Sequence, residues 1–180
     1  MTVRFLCVFV IEIAITDEML NAAEAEANRR QTSNEAKRLK GRNKAESSGQ
    51  KALEMHRLGA LGEIIVADYL GLRDQVFTAK KPVKNSYDLP GQIDVKTRPK
   101  HNYDLLVQID DDPSKRFVLV TVESDQSAYI HGWADHEIVK SHAQVKNYRW
   151  NRPCYAIESK NLKPINKLLP ILTAELGMAF

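Results

Sequence analysis

An α/β fold, with a mixed central sheet flanked by helices, is what this 180-residue sequence predicts, and three observations carry the prediction. From Ser47 or Ser48 to Leu70 the apolar residues recur at helical spacing, with Leu58, Leu61 and Ile65 on one stripe and Val66 and Leu70 on the next, and Gly71 closes the helix. Short strand patterns follow at 75–78, 92–97, 104–109, 117–123, 128–133 and 154–158, separated by turn formers such as Pro90-Gly91 and the run Asp110 to Pro113; Leu105 to Ile109 and Phe117 to Val122 are nearly continuously apolar, as expected of central strands covered on both faces. Helical stretches at 134–142 and 163–172 alternate with those strands, which is the order of a layered α/β domain.

The N-terminal part reads as a strand and helix joined by a linker. Phe5 to Ile15 is apolar, but it carries Glu12, lacks a small-residue cleavage site and falls short of the roughly 20 residues a membrane span needs. A buried strand is the expectation, with no membrane partner. Thr16 then suits an N-cap, with Asp17 and Glu18 in the first turn and Met19, Leu20, Ala23 and Ala27 as a weak stripe, so a helix should reach about Arg30. Gln31 to Gln50 holds almost no large apolar residue and reads as a solvated basic helix or linker. The chain therefore divides into an arm of strand, helix and basic linker over 1–46 and a main domain over 47–180.

Charge distribution says more than net charge. The formal balance of +3 does not itself require a polyanionic partner, but between Arg29 and Arg57 the basic residues Arg29, Arg30, Lys37, Arg38, Lys40, Arg42, Lys44, Lys51 and Arg57 outnumber Glu35, Glu46 and Glu54. That stretch is a candidate phosphate-binding surface. Cys7 and Cys154 form no pattern with each other or with histidine, so neither a disulfide framework nor a zinc site is indicated, and a reducing, cytoplasmic setting fits.

The chemistry concentrates in Tyr87 to Arg98, YDLPGQIDVKTR. Alternate strand residues point to opposite faces, so Ile93 and Val95 should enter the core while Asp94 and Lys96 project together from the other side. The Pro90-Gly91 turn can bring Asp88 back towards Asp94. Adjacent carboxylates repel unless a proton or cation lies between them, and a hard divalent ion such as Mg2+, with Mn2+ as a substitute, is the usual solution. Lys96 would then steady the attacking water and a phosphate oxygen. Acid-x-Lys should occur about once by chance in a chain of this size. It occurs at Glu35-Lys37, Asp94-Lys96 and Glu158-Lys160, and only the middle one has a partner acid across a turn. An ordinary salt-bridged surface hairpin is the competing reading.

Glu63 favours the functional one. Its helical neighbours Gly59, Val66, Ala67 and Leu70 are small or apolar, an expensive setting for a carboxylate without a partner. Gly59, Ala60 and Gly62 would let the helix approach the sheet, setting Glu63 near Lys96 or near water at the metal. The alternatives are solvent at the helix margin, or pairing with a linker lysine.

The succession GALGEIIVADYLGL, YDLPGQIDVKTR, FVLVTVE and AYIHGWA, spanning Gly59 to Trp133, resembles the PD-(D/E)XK nuclease superfamily, in particular its small phage-type members. The resemblance implies a restriction-endonuclease-like core and an Mg2+-dependent deoxyribonuclease, endonuclease or exonuclease. Asp88 would be the acid that opens the motif, Asp94 the second metal ligand, Lys96 the catalytic lysine, and Glu63 the helix carboxylate, itself a metal ligand in many members. Two departures stand out: Tyr87 replaces the motif's proline, and only the five residues 89 to 93 separate Asp88 from Asp94.

Around this centre Lys84, Arg98, Lys100 and Arg149 are candidate nucleic-acid contacts, with Lys80 and Lys81 nearby, and DNA is the partner they suit. Lys146, Tyr148, Trp150 and Arg152 add a basic and aromatic cluster that could stack a base or pack in the core. His131 and His136 lack zinc spacing, and His131 reads as structural. Two further functions stay open: a binding or phage accessory module that keeps the core without turnover, and a junction resolvase, which requires a homodimer, for example one built by exchange of the N-terminal strand and helix.

Overall fold

The computed structural model describes residues 10–36, 49–77, 87–100, 102–148 and 152–177. In chain order its elements are β1 (Ile11–Ala14), α1 (Asp17–Ala36), α2 (Gln50–Tyr69), β2 (Ile93–Arg98), β3 (Leu105–Gln108), β4 (Arg116–Val122), β5 (Ser127–Ala134), α3 (His136–His142), β6 (Gln144–Tyr148), β7 (Arg152–Ile157) and α4 (Leu169–Leu176). The chain is mixed α/β. Four strands form one sheet in the order β1-β5-β4-β2, with β2 parallel to β4 and the other pairs antiparallel. The remaining three make an antiparallel sheet in the order β3-β7-β6.

Local signals explain the helix ends. Thr16 caps α1, its Oγ1 accepting the Met19 N–H at 3.3 Å. The helix continues past the expected Arg30 to Ala36, where the Gln31 side chain donates to the Glu35 carboxylate one turn on. Gly71, at φ +66°, turns the chain away after α2, and the Leu72 N–H returns to the Ala67 carbonyl at 2.7 Å. Asp135 caps α3 through the Ile138 N–H at 3.1 Å.

Strand β4 is the centre of the molecule because both its faces are covered. Val118 and Val120 belong to the core that holds Ala60, Leu61, Ile64 and Ile65 of α2, whereas Phe117 and Leu119 belong to a second core with Leu105, Val107, Val139 and Ile157. That arrangement accounts for its continuous apolar run. Leu105 to Ile109, expected as another doubly covered strand, is different: β3 is an edge strand, Leu105 and Val107 are buried and Ile109 is exposed. One cover and one paired edge suffice for it. Of the strand expected over 75–78, Gln75 ends a 3-10 turn over Arg73–Gln75, Val76 and Phe77 continue as a turn, and Thr78 lies outside the described residues. Strand β6 was not foreseen, since QVKNY has one large aliphatic residue, Val145, and that residue is exposed; pairing with β7 holds it.

The division at 46 and 47 does not separate two packing units. β1 pairs with β5 inside the main sheet, and Met19 and Ala23 of α1 share the core of α2. The small residues Ala23 and Ala27 are fully buried and let the two helices approach closely. The strand and helix read as an arm are therefore packed on the core, although β1 alternates half-buried with exposed residues where a buried strand was expected, and residues 5–9 of that strand lie outside the described residues. Residues 37–48 of the expected linker lie outside the described residues.

Candidate active site

Strand β2 does what its alternation dictates. Ile93 is fully buried on the α2 side, while Asp94 and Lys96 turn to the opposite face, where the Asp94 Oδ1 meets the Lys96 Nζ at 2.6 Å. The face is covered rather than open: Asp94 is only 8 % exposed, and the Lys96 ammonium lies 5.6 Å from the centre of the Phe117 ring. The turn before β2 brings Asp88 into place through an isolated bridge between Leu89 and Ile93, with positive φ at Gly91 and Gln92. Asp88 Oδ2 accepts the Val95 N–H at 2.7 Å. Among the described strands β2 is the last of its sheet, so that carboxylate caps a backbone donor on its outer edge.

Helix α2 approaches β2 at Gly62. A Cβ there would meet the Thr97 Oγ1 at 1.9 Å, so only glycine permits this contact. Glu63, next in the helix, is 6 % exposed, and its oxygens accept from Arg30 Nη1 at 2.9 Å and Nη2 at 2.6 Å. Arg30 also donates to Glu26 at 2.7 Å, and Glu26 takes a further pair from Arg29. Among the described residues Glu63 is thus paired with an arginine of α1 and not with Lys96; Lys37, Lys40 and Lys44 of the expected linker lie outside them. Arg29 and Arg30, read as phosphate-facing, are committed to carboxylates, as is Arg57, which reaches Asp125 at 2.9 Å.

Electrostatics record how close the acids are. Burial pushes the Asp88 carboxyl up to about 7, and the charges of Glu63 and Asp94 push in the same direction against the Val95 hydrogen bond and Lys96. Burial also raises Glu63, opposed chiefly by Arg30, with Glu26 and Asp94 as further repelling neighbours. Three predicted acids therefore share one field.

Two residues that sequence reasoning missed complete the cluster. Lys115, 6 % exposed, donates from Nζ to Asp94 Oδ2 at 2.8 Å. Asp111 accepts the Gln108 N–H at 3.0 Å and comes within 3.9 Å of the Lys96 Nζ. Parallel pairing of Ile93 with Arg116 sets the start of β4 beside the start of β2, which brings Lys115 to Asp94. Arg30 had a local signal, its i,i+4 spacing from Glu26. Lys115 had none.

The outer candidates are mixed. Arg98 ends β2 half-buried, and its charge reaches Cys154 of β7. Lys100 is exposed beyond the strand. Lys146 pairs with Asp104 at 2.6 Å. Lys80, Lys81, Lys84, Arg149 and Trp150 lie outside the described residues. His131 donates or accepts at 2.8 Å with Thr121 in the interior, in keeping with a structural histidine.

As donors for a hard cation, Asp88 and Asp94 have suitable chemistry: carboxylate oxygens whose mutual repulsion a positive charge would relieve. Glu63 does not offer a free oxygen as arranged, because both are held by Arg30. Among the described residues, no three His, Cys, Asp or Glu side chains are grouped so as to hold a metal ion. No helix among them is long and apolar enough to cross a membrane. Set against protein-family models, curated proteins and solved structures, the chain matches none.

Proposed function

We propose that the chain is a metal-dependent nuclease with a restriction-endonuclease-like core, cleaving phosphodiester bonds in DNA. The observation that carries the reading is the pairing of Asp94 with Lys96 on one face of β2, with Asp88 raised to about 7 beside them. A carboxyl pushed up first by burial and then by neighbouring acids is a common mark of a functional site. Asp88 and Asp94 are the residues that would hold Mg2+ or Mn2+. When bound, such an ion supplies Lewis acidity towards a non-bridging phosphate oxygen. Lys96 carries a positive charge on the same face, where it can orient water and stabilise the negative charge that grows on the phosphate. Glu63 acts through Arg30 and through its field on Asp88, as a positioning residue that keeps α1, α2 and the hairpin in register. Arg98 and Lys100 lie along the exit of β2, where phosphate contacts would give salt-sensitive binding.

One observation favours a second reading, a nucleic-acid-binding or phage accessory module without turnover. Both oxygens of Asp94 and both of Glu63 are already engaged by Lys96, Lys115 and Arg30. A buried network of this kind can persist for specificity alone. The two readings separate on a panel of supercoiled, linear, single-stranded and branched DNA incubated with Mg2+, Mn2+ or EDTA. Metal-dependent cleavage of any member supports the nuclease. Tight binding without nicking in either metal supports the module.

A further inference from the structure

Lys115 is the only buried lysine among the described residues, and its surroundings are acidic. Its Nζ rests 2.8 Å from Asp94 Oδ2, and Asp94, Asp111 and Asp88 all act on it as negative neighbours. Tyr87 covers it, the ring centre 6.0 Å from the ammonium. On the other side of Asp94, Lys96 takes Oδ1. A buried ammonium is costly unless a carboxylate compensates it, and the same holds for buried carboxylates that face each other. Each solves the other's problem here. Lys115 also stands in a turn rather than inside a strand: Ser114 is held to Asp112 by its N–H at 2.9 Å and its hydroxyl at 2.7 Å, and the Lys115 N–H reaches the Asp112 carbonyl at 3.1 Å. Its backbone anchorage is therefore independent of where the ammonium points.

The geometry points to Lys115 as an internal counter-ion: its ammonium takes the place on Asp94 that a divalent cation would occupy, so that lysine and cation exclude one another. The inference rests on the proposed metal role of Asp88 and Asp94. It adds that metal binding in this chain is a displacement, with Lys115 leaving its buried position, and that affinity for the ion is held down by the competitor the chain carries. Lys96, on the other oxygen, does not need to move.

Two measurements on the full chain test it without reading cleavage. In the first, Mn2+ binding is followed from the free-ion signal in electron paramagnetic resonance. Lys115→Met should bind Mn2+ about tenfold tighter than the wild type, and Lys115→Gln, which keeps a polar contact to Asp94 without the charge, should also bind tighter. Affinity equal to or weaker than wild type in the folded variants overturns the inference. In the second, the unmodified protein is labelled with acetic anhydride and Lys115 acetylation is quantified by peptide mass spectrometry. Labelling should rise several-fold when Mg2+ is added, and unchanged or reduced labelling overturns the displacement. A chain that cleaves nothing yet passes both tests loses the nuclease reading and keeps the counter-ion. One that cleaves but fails them keeps the nuclease and loses the counter-ion.

Discussion

Arg30 and Glu63, on neighbouring helices, meet through two hydrogen bonds of 2.9 and 2.6 Å and lock α1 to α2 beside the hairpin that bears Asp88 and Asp94. The pair is largely buried, with 27 % of the Arg30 side chain exposed and 8 % of that of Glu63. Breaking such a pair from one side strands the other charge.

Arg30→Met should therefore destabilise the fold by about 3 kcal/mol near pH 8. The sign of the pH dependence follows from Glu63, whose carboxyl is raised in the folded chain. Stability is highest where Glu63 is protonated in both states and falls as pH rises through its folded value; without Arg30 that fall extends to higher pH and is larger in total. Urea unfolding at pH 5 and pH 8 reads the difference. A loss under about 1 kcal/mol at pH 8, or a larger loss at pH 5, contradicts the pairing.

Asp88→Asn should stabilise the protein and impair it. With the folded value at about 7 against the usual carboxylate range near 4, the contribution of Asp88 to stability is full below about pH 4 and is lost as pH rises through 7. Asparagine removes that loss while its carbonyl can still accept the Val95 N–H. In EDTA the gain should be near zero at pH 4 and of order 4 kcal/mol at pH 8. Cleavage should drop at the same time, because the neutral side chain no longer attracts a cation. Thermal melts across pH check the first half, and equal melting of variant and wild type at pH 8 would speak against a strained Asp88.

Gly62→Ala should cost about 1 to 3 kcal/mol despite the better helix propensity of alanine, since its Cβ would press on Thr97 of β2. Adding Thr97→Ala removes the Oγ1 that lies nearest and should recover part of the loss. The double-mutant cycle measures it, and strict additivity of the two changes would deny the close approach.

Much of the fold was legible because its signals are local. Thr16 and Gly71 mark helix ends by their own chemistry, and the order Ile93, Asp94, Val95, Lys96 assigns faces by a period of two. The burial of Glu63 could be read from its apolar stripe, and the closeness of α2 to the sheet from Gly62. What stayed hidden depends on distant pairing. Lys115 reaches Asp94 because β2 and β4 run parallel, a register no short segment of sequence encodes. Arg30 sat in a basic stretch and was counted with it, although Glu26 four residues earlier marked it as a pairing residue. Leu105 to Ile109 looked central because an apolar run does not reveal whether one face or two are covered.

The most direct test of the central claim is single-turnover cleavage of supercoiled plasmid in Mg2+ by folded Asp94→Asn and Lys96→Met proteins beside the wild type. Metal-dependent nicking by the wild type, reduced at least a hundredfold in both variants and abolished by EDTA, is the expected result. Nicking at wild-type rates by both variants, or none by the wild type on any DNA in either metal, would contradict it.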